Sequence, residues 1–269
     1  AGVHFPYDEA ADLIARKALR VNLSDLAAMG ADPLAYFMTI AVPPDIDDAW
    51  IELFAKGLAQ DQTEFAVTLA GGDIVSTPNE LVLSITMLGS VTSDAVIRRN
   101  GAQVGDRVYV SGTIGDAALG LFTLNGVLNI TDAGELIERY SVPQPRLALG
   151  AALRGSVHSG IDVSDGLVAD LLHICEMSDV AAVIRAESIP LSEAARTVLQ
   201  QAPELLTSIL SGGDDYELLF TASADFDPTA IEGGVALSEI GEVVRGEGVT
   251  VIGADGEPMV LDRGGFRHR

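Results

Sequence analysis

The stretch from Gly160 to Asp170, Gly-Ile-Asp-Val-Ser-Asp-Gly-Leu-Val-Ala-Asp, constrains the chain more than any other. An apolar residue separates Asp162 from Ser164, Gly166 follows Asp165, and an apolar-rich segment continues to Cys175. The stretch therefore reads as a strand end turning into a helix, with its polar residues at the turn. Two carboxylates with a serine between them suit a hard divalent cation. Mg²⁺ takes oxygen ligands and is commonly held by one or two carboxylates plus phosphate oxygens. The same residues also suit a helix N-cap, because Asp and Ser at such a turn satisfy free backbone N–H groups. Other acidic segments of the same kind favour a cation: Asp25, Gly71-Gly72-Asp73 and Ser211-Gly212-Gly213-Asp214-Asp215.

Composition excludes several classes. The 39 acids outnumber 16 bases, giving a formal charge of −23, and only Lys17 and Lys56 are lysines. Such a balance argues against a nucleic-acid partner, which demands basic patches. No apolar run approaches the roughly 18 residues of a membrane span, so a soluble protein with no membrane partner is expected. A single cysteine, Cys175, rules out an internal disulfide and a multi-thiolate zinc site, which fits a reducing cytoplasm. The length of 269 residues suits two domains. The chain opens at Ala1 without Met or a signal-like stretch and reads as one that has lost its beginning.

Hydrophobic spacing predicts a helix from Asp8 to a stop at Gly30, with Asp25 inside it. Residues 34–42 are apolar at both alternating sets of positions and read as a strand covered on both sides. A helix through Trp50, Phe54 and Leu58 follows, then a short strand emptying into Gly71-Gly72-Asp73 and another at 81–88. Residues 91–102 lack a pattern and carry Arg98 and Arg99, which marks a domain boundary. Beyond it the spacing predicts strands at 107–111, 181–184 and 216–221, and helices at 116–124, 133–140, 145–153 and 192–201. The N-terminus of the 116–124 helix can face an anion or be merely capped. Hairpins are expected near 246–248 and 254–256.

The sequence has no Walker loop, G-x-G-x-x-G fingerprint, G-x-S-x-G elbow or H-E-x-x-H motif. If the acidic segments converge, they hold more than one Mg²⁺, and such a site serves chiefly to neutralise a polyphosphate such as ATP. Read as plain caps and surface charge, they would have no ligand.

Taken in order, five motifs resemble those of the thiamine-monophosphate kinase family. They are Asn22-Leu23-Ser24-Asp25-Leu26-Ala27-Ala28-Met29-Gly30-Ala31, Gly71-Gly72-Asp73, Arg99-Asn100-Gly101-Ala102 with Gly105-Asp106, Asp162-Val163-Ser164-Asp165-Gly166-Leu167, and Gly212-Gly213-Asp214-Asp215-Tyr216-Glu217-Leu218. Gly2-Val3-His4-Phe5 precedes them and Gly265-Phe266 follows. The resemblance spans nearly the whole chain. It implies ATP-dependent phosphorylation of thiamine phosphate to thiamine diphosphate on the PurM-like fold of aminoimidazole ribonucleotide synthetase. That fold has an α+β N-terminal domain, here 1–95, followed by an α/β C-terminal domain, here 96–269. The N-terminal sheets of two subunits form a β-barrel in a homodimer.

Carried over residue by residue, the resemblance makes Asp25, Asp73, Asp162 and Asp165 metal ligands. It makes Gly72, Asp73, Arg99 and Ser164 ATP contacts, and His4, Asp214 and Phe266 contacts to thiamine phosphate. The family begins with an earlier segment carrying a Gly-Asp-Asp motif and a further metal-binding Asp, which would lie before Ala1. It usually has Thr where this chain has Ile74. The implied chemistry is direct in-line transfer from ATP at an Mg-carboxylate cluster. The substrate phosphate has a second pKa of about 6, so no general base is expected. Two alternatives remain: another ATP-using enzyme of this fold, such as an aminoimidazole ribonucleotide or selenophosphate synthetase, and an Mg-nucleotide-binding dimer without catalysis.

Overall fold

A computed structural model describes residues 2, 4–130, 133–261 and 265, and Phe266 lies outside them. Helix α1, Ala11–Ala28, forms on the predicted spacing and buries Ile14, Leu19, Leu23 and Leu26. Gly30, at φ +65°, stops it, and the Ala31 N–H returns to the Leu26 carbonyl at 2.8 Å. Strand β1, Asp32–Val42, leads to α2, Asp48–Phe65, whose N-terminus is capped by the Asp47 side chain accepting from the Trp50 N–H. Strands β2, Thr68–Ser76, and β3, Val82–Ser90, complete a three-stranded sheet in the order β2-β1-β3. β2 runs parallel to β1 and β3 antiparallel.

Two sequence expectations change here. Strand β1 is covered on one face only. Tyr36 and Ile40 are buried with the helices, whereas Phe37, Val82 and Leu88 stand exposed, because both helices pack on the same side of the sheet. Gly71-Gly72-Asp73 is not a turn but the middle of β2, paired with Phe37, Met38 and Thr39. A Cβ on Gly72 would lie 1.8 Å from the Met38 carbonyl oxygen, so only glycine lets the two strands approach this closely.

The second half begins with β4, Arg107–Ser111, α3, Asp116–Leu124, α4, Gly134–Ser141, and α5, Leu147–Ala152. Next come β5, Ser159–Asp162, α6, Leu167–Ser178, β6, Ala181–Arg185, α7, Glu193–Gln201, and α8, Leu206–Ser211. Strands β7, Leu218–Ala222, β8, Leu237–Val244, and β9, Gly248–Ile252, follow. They form one six-stranded sheet, β5-β7-β4-β8-β6-β9. Helices fall between the strands from β4 to β7 but no α-helix separates β7, β8 and β9, and the pairing is antiparallel except between β6 and β9. Because β6 lies between β8 and β9, the 246–248 segment is a crossover link and not a hairpin. The turn at 254–256 does close on itself, with Gly253 N–H bonded to the Glu257 carbonyl at 2.9 Å.

Helix α1 joins the two halves. It crosses α5 so closely that a Cβ on Gly150 would stand 2.1 Å from the Ala27 carbonyl oxygen. Arg20, 1 % exposed, pairs with the fully buried Asp61 of α2 at 2.6 Å and donates to the Pro143 carbonyl at 3.2 Å. These contacts tie α1 to both neighbours, and the network is completed by Glu64 on Arg20 at 2.7 Å and Arg16 on Asp61 at 3.1 Å.

Gly150 and Gly134 provide a contrast, since nothing lies within 4 Å of a Cβ on Gly134. Gly150→Ala is expected to destabilise the protein by about 1–3 kcal/mol through overpacking. Gly134→Ala is expected to stabilise it by about 0.5–1 kcal/mol through helix propensity. Urea titration of both variants checks this, and equal effects would refute the close helix crossing.

Candidate active site

The site is built first from α1 and β5. Ser24 and Asp25 are consecutive on α1, so they diverge by about 100° around the helix. Ser24 is buried and Asp25 is exposed. Strand β5 is buried throughout and ends on Asp162. The Ser24 hydroxyl donates to Asp162 Oδ2 at 2.6 Å, linking the two halves at that point.

Asp162 is only 4 % exposed. Burial pushes its carboxyl up to about 7, the nearby Asp25 charge adds to the rise, and the Ser24 hydroxyl opposes it. Asp25 is open to solvent on one side, yet crowding by its neighbours still raises its carboxyl, while the Arg99 guanidinium acts in the opposite direction. Both acids line a cleft of about 280 Å³ together with Met29, Arg98, Arg99 and Ile161. A buried carboxylate facing a second carboxylate is poorly compensated by protein alone, and this oxygen donor set fits a hard cation.

The loop after β5 is gathered onto one carboxylate. The N–H groups of Ser164, Asp165 and Gly166 all donate to one oxygen, Asp170 Oδ2, at 2.9, 3.0 and 3.1 Å. The cap is therefore Asp170, reaching back from the first turn of α6. Its carboxyl is pushed up to about 6, chiefly by burial, with these N–H bonds opposing and Asp165 adding to the rise. Ligand atoms of Asp165, Asp170 and His173 lie within 4.8 Å of one another, a second acidic group beside the first.

The Gly212-to-Leu218 motif is paired to this loop through the backbone. Tyr216 N–H donates to the Val163 carbonyl at 2.8 Å, and Asp214 N–H to that of Ser164 at 2.9 Å. Gly213 is required there, since a Cβ would meet the Ser164 oxygen at 2.2 Å. Asp214 and Asp215 then separate. Asp215 is buried and accepts from the Gly115 and Ala117 N–H groups at 2.8 and 3.4 Å. The N-terminus of α3, read as a possible anion site, is thus filled by the protein's own carboxylate. Glu217 is also buried and holds Arg139 at 2.7 Å and Arg146.

Asp214 instead reaches α1, with Lys17 Nζ 3.5 Å from its Oδ2 and the Tyr216 hydroxyl 3.0 Å from its Oδ1. Tyr140, beneath Lys17, donates through its hydroxyl to the His4 carbonyl at 3.4 Å. Two of the expected substrate contacts, His4 and Asp214, are therefore joined through Tyr140 and Lys17.

The expected residues do not all converge. Asp25, Asp162 and Arg99 share the cleft, and Ser164 and Asp165 belong to the loop that follows Asp162. Asp73 and Gly72 lie on β2 and are not among the residues lining that cleft. Asp73 lies opposite Thr39 and so shares the open face of the first sheet. Sequence reasoning missed Ser24, Lys17, Asp170 and Tyr140. Only Asp170 left a usable local sign, an acid in the first turn of a helix after a glycine-bearing loop.

With this geometry in view, residues 1–91 match the family model for AIR synthase related protein, N-terminal domain, and residues 103–254 match that for the C-terminal domain. The thiamine-monophosphate kinase of Caulobacter vibrioides is 44% identical over 275 residues, spanning 100% of this chain and 78% of that protein. The crystal structure of thiamine-monophosphate kinase from Stenotrophomonas maltophilia K279a superposes with a TM-score of 0.87 at 42% identity, over 96% of this chain and 83% of that one. A structure of AaThiL complexed with AMPPCP and TMP gives a TM-score of 0.89 at 30% identity, over 100% of this chain and 84% of that one. On these matches the chain belongs to the thiamine-monophosphate kinase family and is a phosphotransferase of that kind.

Proposed function

We propose that the chain transfers the γ-phosphoryl group of ATP directly to the phosphate of thiamine phosphate. A phosphate oxygen of the substrate attacks the γ-phosphorus as the bond to the β–γ bridging oxygen breaks, releasing ADP and thiamine diphosphate. The observation that carries this reading is the buried Asp162 beside Asp25 in a cleft bearing Arg98 and Arg99. AaThiL complexed with AMPPCP and TMP, a fold match over the whole chain, supports the same pair of ligands here.

In this reading Asp25, Asp73, Asp162 and Asp165 would hold Mg²⁺, which when bound supplies the positive charge that lets two polyanions meet. The remaining work falls to the chain. Gly72, Arg99 and Ser164 bind ATP, with the Arg99 guanidinium paired to phosphate oxygens. His4, Asp214 and Phe266 bind thiamine phosphate. No general base is assigned, because the attacking phosphate is already largely ionised at neutral pH, with a second pKa of about 6.

The open face of the first sheet argues for a homodimer. Phe37, Val75, Val82 and Leu88 are each more than two-fifths exposed on one continuous sheet, an apolar face that a second copy would cover. Asp73 lies on that face, so a second copy would also change its surroundings. Division of the chain near residue 95 and a reducing cytoplasmic setting, consistent with the buried thiol Cys175, complete the reading.

Replacing Asp162 or Asp165 with Asn is expected to lower kcat by about 100-fold or more while the fold persists. Steady-state assay with Mg-ATP and thiamine phosphate, alongside circular dichroism, checks this, and wild-type turnover in Asp165→Asn would sink its assignment.

A pH measurement tests the burial of Asp162 without activity. Its folded pKa of about 7 exceeds the ordinary 3.8, so the folded state binds the extra proton. That group's stabilisation is complete below about pH 4 and is lost as pH rises toward 7. In metal-free buffer Asp162→Asn is expected to gain in Tm over wild type across this window, with an upper bound on the order of 4 kcal/mol. Added Mg²⁺ is expected to narrow the gap by stabilising wild type more. Parallel pH curves would refute the strained carboxylate.

A further inference from the structure

Lys17 is one of two lysines in the chain and is only 5 % exposed, an unusual place for an ammonium group. Its Nζ stands 3.3 Å above the centre of the Tyr140 ring and 3.5 Å from Asp214 Oδ2. Among the described residues it completes no hydrogen bond. Burial lowers its pKa, while the charges of Asp214 and Glu9 raise it. An ammonium so placed rests on a ring face and faces a carboxylate. A leucine or methionine would fill the same space without the desolvation penalty, so packing does not account for it.

The partner of this ammonium is itself constrained. Asp214 and Tyr216 both adopt positive φ, +70° and +51°, which residues with side chains rarely do. The segment is pinned by its N–H bonds to the Val163 and Ser164 carbonyls, and the Tyr216 hydroxyl holds Asp214 Oδ1. With Oδ2 facing Lys17, both carboxylate oxygens are engaged. The Asp214 side chain nonetheless keeps 27 % of its surface open, against 6 % for Lys17. Part of the Asp214 side chain therefore stays open, while Tyr140 lies buried beneath Lys17. A carboxylate attracts a cationic ring, and thiamine phosphate carries a cationic thiazolium.

We infer that Lys17 is a positioning residue for the thiamine end of the substrate, holding Asp214 Oδ2 while the Tyr216 hydroxyl holds Oδ1, so that the carboxylate meets the thiazolium in one orientation. The inference rests on the reading of Asp214 as a substrate contact. Lys17 acts through Asp214 and does not touch the reacting phosphates. Its effect therefore falls on thiamine phosphate and spares ATP.

A double-mutant cycle tests this, using Lys17→Met, Asp214→Asn and the double variant, with KM measured separately for each substrate. Lys17→Met is expected to raise KM for thiamine phosphate about tenfold or more and to leave KM for ATP within about twofold. The double variant is expected to match Asp214→Asn alone, because the clamp has no purpose without its carboxylate. If Asp214→Asn raises KM and Lys17→Met does not, the positioning role is wrong while the substrate reading stands. Additive effects, or equal rises in both KM values, overturn the positioning role as well. An unchanged KM in Asp214→Asn removes the substrate reading itself and the inference with it. Should Lys17→Met fail to fold, Lys17→Gln takes its place in the same cycle under the same criteria.

Discussion

Asp162 is almost wholly removed from water and is met at 2.6 Å by the hydroxyl of Ser24 on a helix from the other half of the chain. That contact requires α1 to lie directly against the second sheet. The helix can come so near because Gly150 presents no side chain to the Ala27 carbonyl. It is held in rotation by Arg20, whose guanidinium is shared between Asp61 and the Pro143 carbonyl. Once the helix is so fixed, Asp25 and Met29 follow at the cleft and Lys17 at Asp214. A single helix thus supplies one wall of the cleft and the ammonium beside Asp214.

The chain carries far more acids than bases, and the buried acids fall into two groups by how they are satisfied. Asp170 takes three backbone N–H groups, Asp215 takes the N-terminal N–H groups of α3, and Glu217 takes two arginines. Each of these carboxylates has its partners within the protein and serves the loops around it. Asp162 has a hydroxyl and another acid close by. The contrast is between carboxylates met by several donors of the protein and one that is met by a single hydroxyl and lies near a second acid.

Much of the fold was legible in the sequence. The helix ending at Gly30, strand β4, helix α3 and the strand leading into Asp162 all follow from hydrophobic spacing and glycine stops, which are local signals. The acidic motifs were legible as motifs. Their surroundings were not, because a local pattern records neither pairing nor close approach. Gly71-Gly72-Asp73 looked like a turn since two glycines usually make one. It is a strand because β1 comes near enough to exclude any Cβ. Strand β1 looked doubly covered since its alternate positions are all apolar, yet both helices lie on the same side.

The sequence by itself determined the acidic, glycine-bearing motifs, and their order carried the family, since residue types and spacing are inherited along the chain. Tertiary structure alone decided which acid does what. Asp170 became the cap because α6 turns it back onto three amides, and Asp215 became the anion at α3 because the 163–164 and 214–216 segments pair. Lys17 gained its place only when α1 docked beside Tyr140, residues more than a hundred positions apart in the chain. Charge and exposure depend on neighbours in space, and those neighbours exist only after the two sheets and α1 have come together.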